Sequence, residues 1–148
     1  MPYRCPHPLI AAQLRRDFPL IACGPYQIFL QHGRVDPLRR LCLAISSSDP
    51  TVDIVHIDQD NEDGYALAVT LLVRMNAGGP SVPLKDETIR KVACARDETA
   101  LLCQNCGEDG RRMRRLRRNS HMSLTLYQEC GDFMDGQMWI WAEDGADN

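Results

Sequence analysis

The chain has 148 residues, of which 44% are hydrophobic and 25% charged, and its formal net charge at pH 7 is −3. This composition is typical of one folded domain, and the negative charge argues against a general nucleic-acid binder, which would normally be basic. The N-terminal segment MPYRCPHPLI lacks the apolar run of a signal peptide and no run approaches the roughly 20 residues that span a membrane, so we expect a soluble, cytoplasmic protein without a membrane partner.

The N-terminal part of the chain, residues 1–50, is predicted to be mainly helical. PLIAAQLRR, residues 8–16, begins with proline and spaces its apolar side chains as a helix does. YQIFLQ, which follows DFPLIACGP, is apolar enough for either a strand or a helix. A second helix is predicted over residues 37–45, because Pro37 suits a first helical turn and Asp36 suits the N-cap.

Residues 51–75 are predicted to form a β-hairpin. In TVDIVHIDQ, β-branched and polar residues alternate, which places Val52, Ile54 and His56 on one face of a strand and Ile57 on the other. The acidic turn NEDG separates this strand from a second β-rich run, YALAVTLLVRM.

The C-terminal part, residues 85–142, is predicted to contain a helix, a cysteine knuckle and short strands, followed by an acidic tail at 143–148. The helix covers residues 85–101, and strands are expected over 119–127 and 137–142. The predicted fold class is therefore α+β. We expect a single small domain covering the whole chain, with helices packed on a short antiparallel sheet and a C-terminal cysteine-knuckle element.

The most informative stretch is ALLCQNCGEDG, in which Cys103 and Cys106 have the spacing C-x-x-C and a glycine follows. The chain has seven cysteines, and an odd number without an export signal argues for reduced thiols or a metal site rather than disulfides. A C-x-x-C-G turn directs both sulfurs at one ion, and its glycine lets the chain reverse and frees backbone amides to soften the thiolate charge. The spacing predicts half of a structural zinc site. The alternative is a pair of reduced thiols in a tight turn.

A structural zinc site needs four ligands, so two more must come from elsewhere. Cys130 is the best third ligand, because it too is followed by a glycine. The fourth ligand stays open between His121, in an alternating strand, and Cys94, in a predicted helix. The candidate zinc ligands are therefore Cys103, Cys106, Cys130 and His121, with Cys94 as the alternative to the last.

Directly after the knuckle comes RRMRRLRR, residues 111–118. Met113 and Leu116 are three apart, which on a helix gives a narrow apolar stripe and a wide cationic face. One interpretation is a surface that binds nucleic-acid phosphates or an acidic partner. The other, which we favour, is a solvated face that pairs with the acidic hairpin or acidic tail of the same chain. The arginines concerned are Arg111, Arg112, Arg114, Arg115, Arg117 and Arg118.

Two further features bear on function. Trp139 and Trp141 alternate in QMWIWA, so they either cover the sheet or form an exposed anchor for a partner. The four histidines of the chain lie in no recognised nucleophile or zinc-hydrolase pattern, and there is no phosphate-binding loop. An enzyme is therefore disfavoured.

The order of these features carries a family resemblance. D-F-P is followed by a C-G-aromatic element at Cys23, Gly24 and Tyr26, with one proline intervening, and later by C-x-x-C-G-x-x-G-Arg at residues 103–111. Over residues 14–131 this is similar to a group of small, functionally uncharacterised bacterial and phage proteins with a C-terminal zinc-knuckle-like element. The resemblance supports the fold prediction and implies no activity.

The chain departs from that group in one place. A second knuckle of the form C-x-x-H tends to follow in the group, whereas here the corresponding stretch is YQECG. Tyr127 stands where the first cysteine would be, and Cys130 stands where the histidine would be.

Three functions follow in order of preference. The first is a non-enzymatic protein–protein interaction module with a structural zinc knuckle, acting as an accessory or inhibitor protein of a phage or mobile element. Its basis is the segregated charge, since opposed patches steer association with a partner. The second is a nucleic-acid-binding regulator that uses the knuckle and the arginine run. The third and weakest is a metal-dependent enzyme.

Overall fold

The computed structural model describes residues 8–24, 27–74, 82–116, 120–132, 136 and 138–142. Within them the fold is α+β, with an antiparallel pair β1-β2 and a three-stranded antiparallel sheet in the order β4-β3-β5. The elements in chain order are α1 (Pro8–Asp17), a 3-10 turn (His32–Arg34), α2 (Val35–Ser48), β1 (Val52–Asp60), β2 (Ala66–Val73), α3 (Asp86–Ala100), β3 (Arg111–Arg115), β4 (Ser123–Leu126), α4 (Gln128–Asp132) and β5 (Trp139–Trp141).

The larger hydrophobic core lies between the hairpin β1-β2 and the helices α1, α2 and α3. Helix α2 contributes Leu38, Leu41 and Ile45, which are three and four residues apart and therefore point to the same side. All three are buried, and burying a side chain of this size stabilises the fold by about 1.5–3 kcal/mol. The predicted helix at 37–45 is thus present and extends by two residues before and three after.

Strand β1 contains an irregularity that simple alternation does not predict. Val52, Ile54 and Ile57 are all fully buried, and the register with β2 shifts between Ile54 and His56. An extra residue in one strand interrupts the two-residue period, so Ile57 returns to the core face and His56 turns away from it. The expectation that His56 shares a face with Val52 and Ile54 is therefore wrong.

The arginine run begins as a strand, not as a helix. Residues Arg111–Arg115 form β3, which pairs with β4 on one side and β5 on the other. Met113 is fully buried and lies opposite Leu124 and Trp141 in these ladders. Backbone pairing with two neighbouring strands outweighs the helical spacing of Met113 and Leu116, and Leu116 is left exposed. Arg117 and Arg118 lie outside the described residues.

The remaining elements agree with the sequence-based prediction in kind and differ in length. The helices predicted at 8–16 and 85–101 are α1 and α3, and the hairpin predicted at 51–75 is β1-β2. The strands predicted at 119–127 and 137–142 are the shorter β4 and β5. No helix in the described part of the chain is both long enough and apolar enough to cross a membrane.

Candidate metal centre

The C-x-x-C pair lies in a tight loop between α3 and β3, residues 102–109, called here the knuckle loop. The amide of Cys103 donates to the carbonyl oxygen of Glu108 at 2.7 Å, and the amide of Gly107 donates to that of Cys103 at 2.9 Å. Gly107 has φ of +81°, a conformation that glycine adopts with little steric cost. The chain reversal expected from the C-x-x-C-G spacing is therefore present.

Helix α4 brings the third cysteine to this loop. The sulfur atoms of Cys103, Cys106 and Cys130 all lie within 4.8 Å of one another, so the three could hold a metal ion. Thiolates that bind one zinc ion tetrahedrally at about 2.3 Å are about 3.8 Å apart, so a small inward movement completes the geometry. Cys103 is buried, Cys130 half-buried and Cys106 exposed, which gives the group a closed floor and one side facing solvent.

Backbone amides make Cys103 the most acidic sulfur of the group. Burial alone would raise the pKa of its thiol, but hydrogen bonds from the amides of Tyr127, Cys106 and Asn105 outweigh burial, and the pKa lies below its ordinary value. The bond from the Asn105 amide to Cys103 Sγ measures 3.4 Å. These are the freed amides that the C-x-x-C-G spacing predicts.

The other two sulfurs resist ionisation. Burial, followed by the negative charge on Cys103, raises the pKa of the Cys130 thiol to about 12. Burial is also the largest cause that raises the pKa of Cys106, and the nearby Cys103 adds to it. Three thiolates this close repel one another unless a cation lies among them. A divalent metal ion supplies that charge, and the sulfur set suits a thiophilic ion such as zinc.

The other two candidate ligands lie elsewhere. Among the described residues, the group of close metal-ligating side chains consists of the three cysteines and does not include His121, which is exposed just before β4. Cys94, the alternative fourth ligand, is exposed on α3 and is also outside the group. The structure thus brings together three of the four residues that the sequence suggests.

Arg34 is a prominent residue of this region that sequence analysis missed. Its side chain is fully buried, and its guanidinium donates to the carbonyl oxygens of Tyr65, Leu102 and Gly64. Burial lowers the pKa of Arg34 to about 10, and the charge on Cys103 acts in the opposite direction. The sequence HGRVDP indicates only a turn, and nothing in it signals a buried cation.

Most of the described arginines of the run have partners within the chain. Arg112 Nη2 lies 2.6 Å from Asp63 Oδ1 in the turn between β1 and β2, as the self-pairing interpretation expects. The guanidinium of Arg111 lies over the Trp141 ring, 5.0 Å from its centroid. Arg115 Nη1 is 3.4 Å from the sulfur of Met122, and Arg114 is exposed.

A second, smaller hydrophobic cluster surrounds the cysteines. Its buried members are Tyr65, Cys103, Met113, Leu124 and Leu126, and Cys130, Trp139 and Trp141 pack against it. Both tryptophans are half-buried, and the indole of Trp141 lies against Gly131 of α4. The tryptophans therefore help to cover the second sheet, the first of the two roles considered for them.

Comparison of the chain with protein-family models, with curated proteins and with solved structures gives no match. The function is therefore inferred from the site itself.

Proposed function

We propose that the chain is a zinc-stabilised protein-interaction module without catalytic activity. Cys103, Cys106 and Cys130 hold a Zn²⁺ ion that supports the fold, and the surface around it binds a protein partner. The observation that carries the proposal is the approach of three sulfur atoms to within 4.8 Å of one another. Three thiolates on a knuckle loop are a common half of structural zinc sites.

The position of the cysteines supports a structural role for the metal. Cys103 and Cys130 belong to or pack against the second hydrophobic cluster, and the strands β3 and β4 lie between them in the chain. A metal ion bound to both would tie α4 to the knuckle loop. Small hydrophobic clusters of this kind gain much of their stability from such a link, because metal binding free energy adds to folding free energy.

A protein partner is favoured over nucleic acid by the charges. The net charge is −3, and Arg111 and Arg112 are engaged by Trp141 and Asp63 of the same chain. Phosphate binding depends on several uncommitted cations, each of which releases counterions on contact. The resemblance to small bacterial and phage proteins supports an accessory or inhibitor role in the cytoplasm.

Metal analysis tests the zinc centre. Elemental analysis of the purified chain is expected to give about one zinc per molecule, whereas Cys106→Ser loses most of it because one of three sulfurs is gone. Cys94→Ser, an exposed cysteine outside the group, is the control and should keep full occupancy. A wild-type chain that binds no zinc, or a Cys106→Ser variant with full occupancy, contradicts the proposal.

Partner capture tests the interaction role. Tagged protein is recovered from a lysate of the organism that encodes it, with and without nuclease, and bound macromolecules are identified by mass spectrometry. A stoichiometric protein that survives nuclease, and that Arg114→Glu weakens more than Arg90→Glu, is the expected result. Both arginines are exposed, but Arg90 lies on α3 away from the arginine run.

The same experiment separates the alternative functions. If every partner disappears with nuclease, the nucleic-acid-binding regulator is the better function, and binding should then fall steeply with salt. A metal-dependent enzyme would instead show an activity that chelation abolishes while the chain stays folded.

A further inference from the structure

The 3-10 turn His32–Arg34 holds the backbone on both sides of the first cysteine. Arg34 Nη1 donates to the carbonyl oxygen of Leu102 at 2.9 Å, and the amide of Gly33 donates to that of Gln104 at 2.8 Å. Leu102 and Gln104 are the two neighbours of Cys103. Two adjacent residues of the turn therefore fix the position from which the buried sulfur points.

Arg34 extends the same connection to the hairpin. Its Nε donates to the carbonyl oxygen of Tyr65 at 2.9 Å and its Nη2 to that of Gly64 at 3.2 Å. Both acceptor residues have positive φ, of 58° for Tyr65 and 60° for Gly64. A left-handed conformation is unfavourable for a residue such as tyrosine. The guanidinium thus stabilises a costly turn while it holds the knuckle loop.

The charge of Arg34 is not cancelled by the groups it bonds. All three acceptors are neutral carbonyl oxygens, and no carboxylate lies within ion-pair distance of Arg34 in the described part of the chain. A buried cation without a counter-charge is costly. Zn²⁺ with three thiolates carries one net negative charge, and the thiolate of Cys103 interacts favourably with Arg34. The two charges are equal and opposite.

We propose that Arg34 is the positioning residue of the metal centre, which fixes Cys103 through its flanking carbonyls and balances the net negative charge of the zinc–thiolate group. This inference rests on the proposed zinc centre and adds to it a residue far away in the sequence. Removing a residue that supports metal ligands in this way typically weakens metal binding by about 10–100-fold.

The test compares zinc dissociation constants, measured by competition with a chromophoric chelator, for the wild type, Arg34→Met and Arg34→Lys. Arg34→Met removes the charge and the hydrogen bonds and is expected to weaken zinc binding by about 10–100-fold. Arg34→Lys keeps the charge, so it should bind zinc more tightly than Arg34→Met. Arg112→Met is the matched control, because Arg112 lies nearby but is paired with Asp63, and its zinc affinity should stay close to that of the wild type.

The outcomes separate this inference from the proposed function. A wild-type chain that binds no zinc overturns both, whereas equal affinities for the wild type and Arg34→Met overturn only the role of Arg34. Equal weakening in Arg34→Lys and Arg34→Met would overturn the charge balance. Cobalt substitution adds a spectroscopic check, since sulfur-to-cobalt charge-transfer bands should change in Arg34→Met and not in Arg112→Met.

A measurement on the wild type covers the case in which the Arg34 variants do not fold. The Nε–H groups of arginines can be followed by ¹⁵N NMR in the presence of zinc and after chelation. Hydrogen exchange at Arg34 Nε–H is expected to slow by at least about tenfold with zinc, as expected for a group whose local opening is coupled to metal binding. Exchange at Arg34 that does not respond to zinc would contradict the inference.

Discussion

Gly33 has no room for a side chain. A Cβ atom at this position would lie 2.2 Å from the carbonyl oxygen of Cys103, which is backbone and cannot easily move. The residue is therefore glycine because the turn and the knuckle loop touch through their main chains. This contact lies beside a candidate metal ligand, so a small change here acts on the centre directly.

We expect Gly33→Ala to destabilise the fold by about 1–3 kcal/mol, the usual cost of forcing extra atoms into a packed site. Chemical denaturation followed by far-UV circular dichroism measures the difference. Gly24→Ala is the control, because the nearest atom to a Cβ there is the Gln27 side chain at 3.8 Å. Equal stability of the two variants would show that the turn and the loop are not in close contact.

Asp60 gives a residue-scale prediction about pH. The hydrogen bond from Arg96 lowers the pKa of Asp60 below its ordinary value of 3.8. A carboxylate with a depressed pKa stabilises the fold above the pKa of the unfolded chain, and this stability is lost as the pH falls through the folded pKa.

Asp60→Asn should therefore lower stability at pH 7 and flatten the loss of stability below about pH 4. Urea denaturation at pH 7 and pH 3 measures both effects. Asp58→Asn is the matched control on the same strand, since the ion-pair partner of Asp58 is His56, not an arginine. A pH dependence in Asp60→Asn identical to that of the wild type would contradict the prediction.

At the scale of elements, the turn between β1 and β2 is where the two parts of the fold meet. Arg96 of α3 contacts Asp60 and Asp63, and Arg112 of β3 contacts Asp63. Ser123 of β4 adds a hydrogen bond from its hydroxyl to the carbonyl oxygen of Glu62 at 3.0 Å. The acidic turn therefore joins a helix and two strands of the second sheet.

A double-mutant cycle with Arg112→Met and Asp63→Asn should give a coupling free energy of about 0.3–1 kcal/mol, because the pair is only partly buried. Thermal or urea denaturation of the four proteins provides the values. The more exposed pair Arg40–Glu98 on α2 and α3 is the comparison, and its coupling should be closer to zero. Coupling of Arg112 and Asp63 that does not decrease in high salt would argue against an ion pair.

Local patterns predict these elements, and long-range contacts decide where the prediction fails. The helices follow from apolar spacing, and the cysteine group follows from C-x-x-C-G and the matching glycine after Cys130. The strand at Arg111–Arg115 does not, because its pairing with β4 and β5 involves residues that come later in the chain. The burial of Arg34 likewise depends on carbonyls near residues 65 and 102, which no local pattern reveals.

At the scale of the whole molecule, the two hydrophobic clusters differ in how they are held. The larger one is built from helices α1, α2 and α3 against β1-β2 and contains no member of the cysteine group. The smaller one contains Cys103 and lies beside Cys130. Stability should therefore depend on metal in the second cluster and much less in the first.

Metal removal tests this difference. After chelation, amide hydrogen exchange should rise by at least about tenfold at Met113, Leu124 and Leu126, because their sheet loses its link to the knuckle loop. The amides of Ile54 and Ile57 serve as the internal control and should change little. Mass spectrometry or NMR follows both sets in one sample, and a uniform increase across the chain would show that the metal supports the entire fold.

The order of the three cysteines along the chain has a consequence for biosynthesis. Cys103 and Cys106 leave the ribosome together, whereas Cys130 emerges only after β3 and β4 have been made. At translation rates of ~5–20 residues per second, the first two thiols wait a few seconds for the third. During that interval the nascent chain presents two neighbouring thiols to the surrounding medium. Production of the metal-loaded protein therefore requires a reducing environment at the ribosome, and oxidative stress during translation should lower the yield of loaded protein more than the same stress applied afterwards.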